Sequence, residues 1–400
     1  MKKLAIIGAG AAGLCAAIEA KKANPKIEIT VFERMQKPAK KILATGNGRC
    51  NFTNNDLSLK HFYGNKAFLK SISESDFSDI KGFFEYLGVL SYEEDGRIYP
   101  RSQQASTIKD ALLKSVESQN INIQTDYRID KIQASKNGFL VNGEYFDSVI
   151  ICGGGKAAAV HGSDGSCYKF AENFGHTLTA LYPALCGLVI NDKDLNLLKG
   201  VRAEGEAKLY SGNILLGSES GEIQFTDKAI SGIPIMNLSH LCENKRDLKI
   251  HLDLCPEIDE KTLYNHIKQS VINSPNIEYE TALNGVVNLK LGFAVMNRSG
   301  IKPQTKCKAI KDFQIKESVN QLKKFEINIK SAKGFDNAQI TKGGIKTNEI
   351  FPETMMSKKA DGLFLCGEIL DIHGDCGGYN LQLAFTTGRI AGNSAGKYLK

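Results

Sequence analysis

Six residues near the start of the chain have the types and spacing that suit a phosphate. Gly8-Ala9-Gly10-Ala11-Ala12-Gly13 follows the apolar run Leu4-Ala5-Ile6-Ile7 and precedes a small-residue stretch reaching Ala23. Gly8 permits a tight turn, Gly10 lets the backbone approach a pyrophosphate, and Gly13 lets helix and strand pack closely. The helix N-terminus adds free N–H groups and the positive end of its dipole. A second apolar run, Ile27 to Phe32, ends at Glu33, whose carboxylate can accept hydrogen bonds from ribose hydroxyls. With Arg34 beside it, this is a dinucleotide site inside one βαβ unit.

A second group lies near the other end. Gly362-Leu363-Phe364-Leu365-Cys366 reads as a buried strand, Gly367-Glu368 follows, and Gly377-Gly378-Tyr379-Asn380-Leu381 opens a helix. Glu368 suits ribityl or pyrophosphate-proximal hydroxyls. The helix N-terminus directs positive dipole at one edge of an isoalloxazine, where reduction places negative charge. This closing segment favours FAD over a bound nicotinamide. The competing reading is a surface glycine loop before a capped helix.

For acid–base work the candidates are His373, between Glu368 and that helix, and Tyr379 at the helix start. An imidazole titrates near neutral pH, which suits proton transfer, although a loop-ordering hydrogen bond would use the same residue. Cys376 adjoins the glycines, where a helix N-terminus would lower a thiol's pKa, but no partner cysteine is apparent. Cys50 reads as a small buried filler. Tyr99 and Tyr379 suit ring stacking and core packing equally. The ten cysteines form no C-x-x-C pair, and no metal site is expected.

These residues need elements to hold them. Leu4 to Ile7 and Ile27 to Phe32 are continuous apolar runs, as parallel strands covered on both faces require. Residues 78–88 and 103–118 have helical spacing, and Tyr92 to Pro100 reads as a hairpin. Tyr127 to Ile132, Gly138 to Val141 and Glu144 to Ile151 read as a meander ending at Gly153-Gly154-Gly155. Residues 185–254 look strand-rich, Pro256 to about Val287 helical, and 310–330 strand-like again. The expected fold is α/β: an FAD-binding Rossmann-like domain of the two-dinucleotide type, made of residues 1–187 and 331–400. A β-barrel-like insertion would span 188–254 and 302–330, with a small helical subdomain at 255–301.

Four motifs make the chain resemble the BaiN/YhiN-type FAD-dependent flavoprotein oxidoreductases, also described as aminoacetone-oxidase-like. They are Lys41-Ile42-Leu43-Ala44-Thr45-Gly46-Asn47-Gly48-Arg49-Cys50-Asn51-Phe52-Thr53-Asn54; Gly96-Arg97-Ile98-Tyr99-Pro100; Phe225-Thr226 with Ser231-Gly232-Ile233-Pro234; and Gly367-Glu368 through Asp371-Ile372-His373-Gly374 to Asn380. The resemblance implies a bacterial FAD enzyme in which Gly46 to Asn51 run along the flavin, with Arg49 near the cofactor and Asn51 near the ring. Gly153 and Gly154 would lie beneath the cofactor. Arg49 could fork onto a phosphate or form a salt bridge that orders the loop. Two departures stand out: Asn47 replaces a usual glycine, and Gly155-Lys156-Ala157-Ala158-Ala159 replaces the family's usual pattern.

The function these readings point to is hydride transfer through flavin N5 to or from a small organic substrate. No second fingerprint follows a strand, so NAD(P)H would act as a transient reductant without its own domain. Rivals are an FAD-dependent RNA-modifying protein and a non-catalytic flavin-bound sensor. A net charge of +7 is mild for 400 residues, and the lysines are dispersed, so no nucleic-acid partner is expected. No apolar run approaches the roughly 20 residues of a membrane span. The chain opens Met1-Lys2-Lys3 straight into a strand-like run, and a cytoplasmic location is expected.

Overall fold

The computed structural model describes residues 1–400, with all side chains except those of Lys193 and Asp194. The chain forms two compact units, Met1–Tyr182 with Gln339–Lys400, and Pro183–Ala338. Each has its own hydrophobic core.

In the first unit the elements that matter are β1 (Lys3–Ile7), α1 (Ala11–Ala23), β2 (Glu28–Phe32), β3 (Phe62–Gly64), β4 (Asn122–Gln124), β5 (Ser148–Ile151), β6 (Leu363–Leu365), β7 (Ile372–Gly374) and α2 (Tyr379–Tyr398). A five-stranded sheet runs in the order β6-β5-β1-β2-β4, every pairing parallel. The central strands are buried on both faces, which is why Leu4 to Ile7 and Val149 to Ile151 are apolar without alternation. β6 arrives from the far end of the sequence and pairs with β5, Ile151 lying opposite Leu365.

α1 and α2 pack side by side on small residues. A Cβ on Gly388, Gly392 or Gly396 would overlap the backbone of Ala12, Ala16 or Ala20 respectively. Both series advance by four residues together, so the helices run parallel and their N-termini lie toward the same end. Ala11 stands level with residue 387, so α2 begins eight residues earlier, about 12 Å further out at 1.5 Å per residue. The pair Arg389–Glu19 is buried between them, Nε to Oε1 2.9 Å.

The meander differs from the expectation in register. Its strands are Ile132–Ser135, Gly138–Val141 and Glu144–Phe146, while Tyr127 to Asp130 lie outside any strand. Tyr127 packs its ring on Phe32 instead, 5.2 Å between centroids. The hairpin Ser91–Glu94 to Arg97–Pro100 turns through Asp95 (φ 52°) and Gly96 (φ 77°), the two left-handed residues a tight hairpin needs.

In the second unit Leu188–Ile190, Arg202–Ser211, Ile214–Thr226, Ala229–Ser231, Leu248–Asp253 and Phe325–Ala332 close into a barrel. Its interior is filled by Leu209, Ile223, Ile250, Leu252, Phe325 and Ile327. Helices Glu260–Asn273, Tyr279–Leu283, Leu289–Arg298 and Asp312–Lys323 interrupt it. The helical part therefore runs past 301, and residues 312–323 are a helix where strand was expected. Ile315, Ser318, Val319 and Leu322 are buried there, a spacing of three and four that only a helix delivers. Strand alternation begins at Phe325.

Candidate functional site

The fingerprint glycines each meet a different constraint. Gly8 sits at φ 113°, and a Cβ there would come within 2.8 Å of the Cys152 carbonyl. On Gly13 it would overlap the Gly8 carbonyl. Gly10 faces open space and is the N-cap of α1, with no side-chain cap. α2 likewise starts from an uncapped glycine, Gly378 at φ 100°, and neither helix has an acid in its first turn. Two helix N-termini thus present N–H groups that no side-chain cap satisfies, on the same side and about 12 Å apart along the axis.

Glu33 is fixed between Ala9 N (2.9 Å to Oε2) and Met35 N (2.9 Å to Oε1), which holds the fingerprint loop against β2. Arg34 pairs with Asp164, and its buried Nε has no partner. Gly162 packs over Met35. Segment 155–162, where the sequence departs from the family pattern, is anchored from elsewhere. Thr341 Oγ1 accepts from Lys156 N (2.7 Å) and Ala157 N (3.0 Å), and Lys40 Nζ donates to Val160 O.

Glu368 reaches Lys41, Nζ to Oε2 2.7 Å, and accepts from Thr341 N at 3.0 Å. A Cβ on Gly155 would come within 2.5 Å of Thr341 Oγ1 and 2.7 Å of Glu368 Oε1, so the glycine leaves room for both side chains. The carboxylate therefore joins three segments, a role the sequence reading did not assign it. Gly367 takes φ 81° and its N–H is held by Thr387 Oγ1.

Arg49 is held on the hairpin side of its loop. Its guanidinium forks onto Glu94 (2.9 and 3.0 Å) and lies over the Tyr99 ring at 4.4 Å, so it orders the loop. The loop itself needs left-handed residues at Gly46, Asn47 (φ 54°), Gly48 and Cys50 (φ 58°). Asparagine tolerates that region better than most residues, which accounts for Asn47 where the family has glycine. Cys50 is buried, and burial pushes its thiol up to about 12. Asn51 lies under Gly46 on one side and Gly378 on the other. Gly153 packs against Cys167, and Gly154 takes φ 78°.

The C-terminal turn is held tightly. Asn380 Oδ1 accepts from Gly374 N (2.8 Å), and its Nδ2 donates to the carbonyls of Gly374 and Asp375. Leu381 is half-buried in the first turn of α2. His373 lies inside β7 rather than on a loop, buried and stacked on Tyr63 at 5.0 Å. Burial pushes the Cys376 thiol up to about 12, opposite to the depression expected at a helix N-terminus. Tyr379 is buried, its hydroxyl also raised to about 12 by burial, and its ring stacks on His61 at 4.6 Å.

Sequence reasoning missed His61, Tyr63 and Asp375. Asp375 accepts from His61 Nδ1 (3.0 Å) and from Tyr63 Oη (2.9 Å), and His61 Nε2 lies 3.1 Å from Asp56. β3 pairs antiparallel with β7, and this brings residues more than 300 apart in sequence into contact. Asp375 stood inside a motif already singled out, but nothing local announced its partners.

A family model described as the HI0933-like protein Rossmann domain matches residues 2–394. The chain belongs to this family. It is a family of FAD-dependent oxidoreductases, and the fold is the Rossmann-type α/β class expected from the sequence. Among the relatives of this chain, the 3-dehydro-bile acid delta(4,6)-reductase of Clostridium scindens is 34% identical over 99% of each chain. The ribosomal RNA dihydrouridine synthase of Haemophilus influenzae is 28% identical over 96% of this chain and 95% of its own. The structure of the 3-ketosteroid-delta4-(5alpha)-dehydrogenase of Rhodococcus jostii superposes with a TM-score of 0.50 at 14% identity, covering 99% of this chain and 97% of that one. Among the described residues, no helix is long and apolar enough to cross a membrane.

Proposed function

We propose that this protein is an FAD-dependent reductase that saturates a carbon–carbon double bond conjugated to a carbonyl. The observation that carries it is the parallel α1–α2 pair. Its two uncapped N-termini are offset by about the span from a pyrophosphate to the far edge of a flavin on its ribityl arm. Gly8 to Gly13, with Glu33 and Arg34, hold the adenosine and pyrophosphate half. Lys41, Gly46 to Asn51, Gly153, Gly154, Gly367, Glu368 and Gly377 to Leu381 shape the ribityl and ring half. When bound, FAD supplies the hydride; the chain orients it and supplies the proton. NAD(P)H is the reductant that docks transiently.

The names of the two kinds of relative support the reaction class. A bile-acid delta(4,6)-reductase acts on double bonds conjugated to a ketone, and dihydrouridine differs from uridine by saturation of a bond conjugated to a ring carbonyl. A small apolar ketone is the first reading, on the higher identity. Uridine in RNA is the second. It is supported by the names of the synthase relatives, at 26% and 28% identity.

The test is anaerobic reduction of the holoprotein with NADH or NADPH, followed by mixing with a steroid enone or with uridine-containing RNA. Flavin reoxidation with gain of two hydrogens by the enone supports the first reading, and by the RNA the second. A protein that takes up no FAD would overturn both.

A further inference from the structure

We propose that Asp56, His61, Asp375 and Tyr63 form a chain that carries the reaction's proton from solvent to the start of α2, with Tyr63 as the donor. The inference rests on the reductase reading but not on which conjugated substrate is reduced. Adding hydrogen across such a bond needs a hydride and a proton, and the second must come from the protein or through it.

The geometry runs from outside to inside. Asp56 is half exposed (side chain 48%), His61 is 24% exposed and Asp375 10%. Lys60, at 2.8 Å, and Ser58 hold the Asp56 carboxyl below the usual range, so it remains an acceptor. One imidazole thus stands between two carboxylates, with Nε2 toward Asp56 and Nδ1 toward Asp375 at 3.1 and 3.0 Å. With both nitrogens as donors, the ring satisfies both acceptors and holds a proton at each end. Tyr379 stacks flat beneath it, 16° between planes, and fixes its orientation.

Asp375 is the branch point. It lies in the turn that leads into α2, and it accepts from both His61 and Tyr63. Passing the Nδ1 proton to Asp375 makes the carboxyl a donor. The proton arrives on Oδ2, whereas Tyr63 sits on Oδ1, so the carboxyl turns about its Cβ–Cγ bond to bring the new O–H to Tyr63 Oη, and the tyrosine's own O–H is released to a substrate carbanion. One N–H bond breaks, one C–H bond forms, and the intervening oxygens each lose and gain one proton. Solvent at Asp56 restores the imidazole. Tyr63 is the catalytic residue; His61, Asp375 and Asp56 are positioning residues. His373, stacked behind Tyr63, fixes its ring.

Two measurements test this. Ring-nitrogen NMR of the oxidised holoprotein at neutral pH, with His61 assigned by its loss in His61→Gln, should show a proton on Nδ1 whose signal moves in Asp375→Asn. A bare Nδ1, or a signal indifferent to Asp375, overturns the chain without any substrate. In the reduced holoprotein, reoxidation by cyclohexenone, which needs a proton on carbon, is compared with reoxidation by ferricyanide, which takes electrons alone. The ratio of the two rates should fall roughly 100-fold in Tyr63→Phe, the usual scale of a lost general acid. A ratio equal to wild type overturns Tyr63 as donor. A wild-type protein that cannot reduce the enone refutes the reductase reading, and the NMR result then judges the chain by itself.

Discussion

At the scale of single residues, carboxylates and imidazoles do work that their neighbours in space assign. Glu33 holds two backbone N–H groups besides any ribose, so Glu33→Ala loosens the fingerprint loop as well as removing an acceptor. FAD affinity should fall roughly tenfold to a hundredfold, the effect of one charge-assisted hydrogen bond of about 1.5–3 kcal/mol. Flavin fluorescence titration measures it. His176 is a contrasting case. Its Nε2 lies 2.7 Å from Ser357 Oγ and its Nδ1 3.2 Å from Glu349, the arrangement of a nucleophile triad. Yet Ser357 is buried and accepts from Lys359 N and Ala360 N, so it is a clamp that donates its proton to a neutral ring. Burial lowers the His176 pKa below its ordinary value. The unfolded chain therefore takes up the proton first. Stability is full above about pH 6.5 and declines as the pH falls toward the lowered folded value. Thermal melts should show this slope between pH 7 and 5, and His176→Gln should flatten it.

At the scale of elements, the α1–α2 contact sets the distance between the two ends of the site. Small residues at every fourth position let the backbones touch, and Arg389–Glu19 fixes their register. The pair is nearly dry, and Arg389 also donates to Phe77 O and Asp79 O. Arg389→Ala strands the Glu19 carboxylate, and losing one partner of a buried pair costs about 3–5 kcal/mol. Urea unfolding should record that loss. A midpoint within error of wild type would mean that glycine packing alone holds the helices.

At the scale of the molecule, two cores divide the labour. The residues proposed to hold FAD all belong to the first unit. A ligand stabilises what it binds, by about 2.7 kcal/mol at a hundredfold excess over Kd. Calorimetry with and without FAD should therefore raise the transition of the first unit. An equal shift throughout would mean that the two units unfold as one.

The sequence by itself determined what depends on neighbours along the chain. The fingerprint, the strands around it and the hairpin at Asp95-Gly96 were legible because glycine conformation and apolar runs are local properties. The acid at Glu33 was legible because a βαβ unit has a nearly fixed length. The barrel's helical insertion was misjudged at 312–323, where a weakly amphipathic helix adjoins a true strand and the two periodicities blur. Arg49 was left between phosphate and salt bridge, because Glu94 reaches it only through a hairpin fold. His61, Tyr63 and Asp375 were invisible for the same reason in stronger form. A hydrogen bond between residues 61 and 375 exists only once β3 has paired with β7. Types and spacing along the chain fix which chemistry is possible; which side chains share a proton is fixed by packing between distant segments.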